Sequence, residues 1–79
     1  MGFSYKKSYE SLLKLAQEHN LMVVIVPRSI LKDYTGMNSK TAERLGFKMP
    51  PDTIYLSKSL KPEDRFKVLR TQMKEYFEI

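Results

Sequence analysis

The chain contains no cysteine and one histidine, His19. The first absence excludes disulfides, thiolate metal sites and cysteine nucleophiles, and it fits a reducing compartment. The second leaves His19 without an evident Ser or Asp partner for general-base chemistry. At the end of an amphipathic stretch, an imidazolium there is favoured by the helix dipole, a structural role. Long apolar runs are also missing. The longest, "LMVVIVP", is far short of the roughly 20 residues a membrane helix requires. The opening "MGFSYKKSYESLL" lacks the apolar stretch of a signal peptide, so a cytoplasmic protein is expected. Ser29, Ser57 and Ser59 lie in no nucleophile-elbow pattern, and "YTGMNSKT" lacks the spacing of a phosphate-binding loop. There is no internal repeat, low-complexity tract or linker, and 79 residues suffice for one domain with one modest core.

Charge, by contrast, is plentiful and uneven. The net +5 divides into 3 basic against 2 acidic residues over positions 1–20, 5 against 2 over 21–50, and 6 against 5 over 51–79. The middle holds the excess, which makes Arg28, Lys32, Lys40, Arg44 and Lys48 the candidate contacts for nucleic-acid phosphates, with Tyr34 and Phe47 as candidate stacking rings. Binding of that kind falls steeply with salt. A helix-turn-helix over "SILKDYTGMNSKTAERLGF" does not fit, because Gly46-Phe47 ends the second helix after about a turn and a half.

Patterning predicts an α+β domain in the order α-β-short α-β-β-α. From Ser4 onward, Tyr5, Tyr9, Leu12, Leu13 and Ala16 recur at helical spacing, and the helix stops near His19-Asn20. "LMVVIV" reads as a strand apolar on both faces, closed by Pro27. Thr35-Gly36 carries turn chemistry, Asn38 or Ser39 can cap a short helix, and Gly46 can end it. "GFKMPPDTIYLS" reads as a hairpin with strands at 47–49 and 53–57 around Pro50-Pro51-Asp52. A closing helix begins at Pro62, with Glu63 and Asp64 in its first turn and Phe66, Leu69, Met73, Tyr76 and Phe77 on its apolar face. The first and last helices are expected on one face of a three-stranded sheet. A protein partner or a second copy is expected to cover the opposite face, left open, or the Tyr76-Phe77-Ile79 end.

The run "TIYLSKSLKPEDRFKVLRTQMKEYFEI" supports a more specific comparison. Ile54, Tyr55, Leu56, Ser57, Pro62, Glu63 and Phe66, followed by the last helix, resemble the ImmA/IrrE family of small metallopeptidases, in which a strand and a Pro-Glu helix start precede His-Glu-x-x-His. The resemblance covers most of the chain in layout and about 25 residues in motif. Laid on this chain, the motif falls on Thr71 for the first ligand, Gln72 for the catalytic Glu and Glu75 for the second ligand. Shifted by one, it falls on Arg70, Thr71 and Lys74. Neither frame provides a zinc site, since hydrolytic zinc needs three protein ligands and an open position, and Gln72 cannot act as a general base. Only four residues follow Glu75, while the family's third ligand comes from a later segment. The expectation is therefore a non-catalytic, small intracellular binding or regulatory module of the kind mobile elements encode. It would have no metal and no cofactor, and would act through a protein partner or as a homodimer. A small basic DNA- or RNA-binding protein is the alternative, and an active metal-dependent hydrolase the third reading. "T-Q-x-x-E" is expected to face outward.

Overall fold

The computed structural model describes residues 8–78. Helix α1, Tyr9–Glu18, is opened by Ser8, whose hydroxyl accepts from the Ser11 amide and whose backbone is extended, so the helix does not run through Ser8 as the spacing from Ser4 predicts. Its end follows the expected chemistry: Asn20 takes a left-handed backbone at φ 57°, and Leu21 N–H closes back on Ala16 O at 2.8 Å. The other elements are β1 (Met22–Val26), α2 (Arg28–Leu31), β2 (Gly36–Asn38), α3 (Ser39–Leu45), β3 (Thr53–Ser57) and α4 (Pro62–Glu78). Together they form a small α+β domain around a mixed three-stranded sheet of order β1-β3-β2. Strand β3 is central, parallel to β1 and antiparallel to β2.

Alternation along the strands builds two layers. Ile54 and Leu56 point to one side, where they pack with Leu12 and Ala16 of α1 and Leu69, Met73 and Tyr76 of α4. The first and last helices thus share one face, as the periodicity predicts. Exposed at the end of α1, His19 is its C-cap residue, with its ring centroid 4.9 Å from that of Phe77. Tyr5 and Ile79 lie outside the described residues.

Two sequence expectations need correction. The strand antiparallel to β3 is Gly36–Asn38, not residues 47–49, and there is no hairpin at Pro50-Pro51-Asp52. Two prolines leave no N–H for a ladder, and residues 47–49 serve instead as packing, with Phe47 and Met49 set against the second sheet face. Gly36, which reads as a turn residue, is in a strand because α4 passes directly over it. A Cβ there would overlap Val68 Cγ1 and would sit 3.3 Å from Tyr55 O. The second correction concerns the supposedly open face. Val26, Met37, Val24 and Tyr55 on that side are covered by Leu31 of α2, Ala42 of α3, Phe47 and Met49. The middle segment supplies the cover that the sequence pattern leads one to expect from a protein partner or a second copy, so this face gives no reason for a dimer. At the other proposed dimer surface, Tyr76 is buried and Phe77 half-buried within the chain itself.

Asn38 explains why β2 passes straight into α3. It is completely buried, its side-chain oxygen accepts from the Thr41 amide at 2.9 Å as the helix cap, and its Nδ2 donates to Gln72 Oε1 at 2.9 Å. One side chain thereby caps α3 and ties it to α4. Gly46, at φ 81°, ends α3 as expected. No helix among the described residues is long and apolar enough to cross a membrane.

Candidate binding groove

The positions of the peptidase-like motif separate in space. Thr71 and Glu75 are exposed one turn apart on the outer side of α4, where they line a shallow depression with Arg70, Lys74 and Glu78. Gln72 does not face outward with them: it is half-buried, turned toward β2 and held by Asn38. At 100° per residue, the step from 71 to 72 carries the side chain from the solvent side to the side facing the sheet. Its amide is a strut between two elements. Among the described residues no three His, Cys, Asp or Glu side chains come together in a way that could hold a metal ion.

The larger concavity lies elsewhere, between α3, the connection to β3 and the end of α4, with a volume of about 740 Å³. Phe47, Met49, Pro50 and Pro51 provide apolar lining, while Lys40 and Lys48 face Glu43 and Asp52 in charge. At one end three side chains are bound together. Tyr76 Oη donates to Asp52 Oδ1. Lys40 Nζ donates to Tyr76 O at 2.9 Å and lies 4.4 Å from the centre of the Tyr76 ring. The Lys40 ammonium thus serves a last-turn carbonyl of α4, whose last turn has no basic residue of its own. Asp52 adopts a left-handed backbone at φ 54°, and its carbonyl accepts from Met22 N–H at 2.9 Å. Ser39, the first residue of α3, accepts from the Thr53 amide at 3.3 Å, which fixes the floor of the groove to the central strand.

Burial raises the Tyr76 phenol to about 12, helped by the hydrogen bond to Asp52 and by that residue's charge, while a hydrogen bond from Ser39 opposes the shift. A phenol held that far above neutrality keeps its proton and donates it to Asp52; it is not poised as a base.

The five basic candidates are only partly gathered. Lys40 and Lys48 line the groove. Lys32 lies with its ammonium 5.7 Å from the centre of the Phe47 ring, and Tyr34 meets the same ring edge-on at 5.7 Å. Arg28 and Arg44 are exposed on α2 and α3. Sequence reasoning missed Tyr76, Asp52 and Met49 as groove residues. Spacing marks Tyr76 as core, and the Pro-Pro-Asp signal was assigned to a hairpin turn, though the left-handed preference of Asp was a usable sign. Comparison with protein-family models, curated proteins and solved structures finds no match to this chain.

Proposed function

We propose that this chain is a non-catalytic protein-binding module. In this reading it keeps a layout like that of the small zinc peptidases without their chemistry, and it takes an extended segment of a partner protein into the groove beside Tyr76. The observation that supports it best is the character of that groove: an apolar lining between charges of both signs, anchored by Tyr76 through its contacts with Asp52 and Lys40. Sites that bind small segments combine apolar walls with a few fixed polar groups in this way. The hydrogen bond from Asn38 to Gln72 supports the non-catalytic part, because the residue in the general-base position is committed to joining β2 and α4.

Panning a random peptide library on the full chain tests the proposal. Enriched peptides are expected to lose at least about tenfold in affinity, roughly 1.4 kcal/mol, for a folded Met49→Glu protein, which places a charge in the apolar lining. Absence of enrichment, or binding indifferent to that change, contradicts it. Metal titration tests the rival hydrolase reading. Added zinc is expected to leave the unfolding midpoint unchanged, and tight binding of one zinc per chain overturns the non-catalytic assignment.

One observation favours nucleic acid as the second reading. Lys32, Phe47 and Tyr34 form a cation-aromatic cluster with Tyr34 exposed, the combination on which single-stranded bases stack. The decisive comparison is a gel shift with a single-stranded oligonucleotide at low and moderate salt. Retardation that weakens with salt and disappears when Lys32, Arg44 and Lys48 are changed together to Ala favours this reading. Lys40 is left intact because it holds the end of α4.

A further inference from the structure

The two outer edges of the sheet are treated differently. Gly36, Met37 and Asn38 of β2 are all buried, so that edge is covered. Strand β1 has no partner on its outer side among the described residues, since its one neighbour in the sheet is β3. Met22 N–H donates to Asp52 O at 2.9 Å, and Lys58 N–H donates to Val26 O at 2.8 Å. In a parallel ladder alternate residues turn their backbone groups toward the partner. Met22, Val24 and Val26 therefore face β3, and the N–H and C=O groups of Val23 and Ile25 face the open side.

Among the described residues that edge carries none of the usual protection. Its sequence, "MVVIV", has no charge and no proline, and its register on β3 runs from Met22 to Val26 without a bulge. Met22 is 64% and Ile25 38% exposed, one on each face of the strand. We propose that β1 pairs antiparallel with β1 of a second copy of this chain, about a two-fold axis through Val24, joining two three-stranded sheets into one. The arrangement is self-complementary in two respects. Val23 of each copy lies opposite Ile25 of the other as a hydrogen-bonded pair, which satisfies all the outward backbone groups of both residues. On the two faces Ile25 lies beside Val23, Met22 beside Val26 and Val24 beside Val24, so every cross-strand pair is apolar. An edge paired in this way has no charged group to desolvate. A five-residue strand falls at the small end of interface areas, so the dimer dissociates in the micromolar-to-millimolar range. Because each copy carries +5, added salt strengthens it, opposite to the effect on nucleic-acid binding. This inference does not depend on the groove.

Sedimentation equilibrium of the full chain, from roughly ten micromolar to about one millimolar, is the test. The expected mass rises from 9.3 kDa toward twice that value, and rises further with salt. Val23→Pro removes an outward N–H and leaves the ladder to β3 intact, as a proline on an edge strand can. Ile25→Lys adds an edge charge. Both are expected to remain folded by circular dichroism and to stay monomeric. Should either fail to fold, Val24→Cys decides: at the two-fold centre of a non-hydrogen-bonded pair, the Cα atoms lie about 4.5 Å apart, within disulfide range, and oxidation is expected to give a covalent dimer. Ile30→Cys, exposed on α2, is the control and is expected to remain monomeric. A 9.3 kDa particle at every concentration overturns the proposal, as does a dimer indifferent to both folded edge variants or a Val24→Cys chain that does not cross-link.

Discussion

Tyr76 lies on the buried side of α4 by spacing, as Leu69 and Met73 do, but its hydroxyl reaches the groove and donates to Asp52. Its phenol, raised by burial first and then by Asp52 to about 12, stays protonated in the folded chain where the unfolded chain has begun to ionise. The stability it contributes is therefore fully present below pH 10 and is lost as pH rises through about 12. The stability difference between wild type and Tyr76→Phe is expected to be constant up to pH 10 and to shrink above it, as read by urea unfolding along a pH series. Gly36 gives a second test at this scale. Gly36→Ala is expected to destabilise by about 1–3 kcal/mol through overpacking against Val68, and adding Val68→Ala should recover part of that loss in a double-mutant cycle. Residue identity made some of this legible and not the rest. Asn38 was readable as a cap because Asn before a helical turn has few other uses. Gly36 was not, because glycine serves both turns and close approaches, and the sequence does not show that α4 crosses β2 at that point.

Elements with strong local signals are where the sequence places them. Residues 53–57 form a strand because Thr53, Ile54 and Tyr55 favour extended backbone and Ile54 and Leu56 fall on one face, and α4 begins at Pro62 because proline suits a first turn. The middle of the chain was harder to read. Helix α2 has four residues and β2 has three, too few for any period to show, and both are fixed by contacts distant in sequence. The same long-range packing decides that residues 47–49 are cover rather than strand. Because α2 and α3 close the second sheet face, they should unfold with the rest of the domain. Leu31→Ala, at a position 1% exposed, is expected to cost about 2–5 kcal/mol in a single cooperative transition. A loss below about 1 kcal/mol, or separate melting of residues 28–49, would show that this layer is not part of the core.

At the scale of the whole molecule, the chain divides its surfaces. Among the described residues both sheet faces are covered from within, one sheet edge is covered and one is bare, and a groove opens where the end of α4 meets the approach to β3. The sequence leads to the right fold class and to the wrong reason for a partner, because it reads a short helix in the middle segment but does not lay that segment across the second sheet face. It places Lys40 and Lys48 among the site candidates through charge alone, and it has no means of joining them to Tyr76, which lies far along the chain, or of turning nearby Asp52 into the same groove. The proposed function depends on that convergence. Its most direct measurement is a two-dimensional amide NMR titration of the full chain with a peptide selected for binding. The expected result is a set of saturable shifts centred on Lys40, Phe47 to Asp52 and Tyr76. Shifts centred instead on Arg70, Thr71 and Glu75, or no site-specific shifts at all, would contradict it.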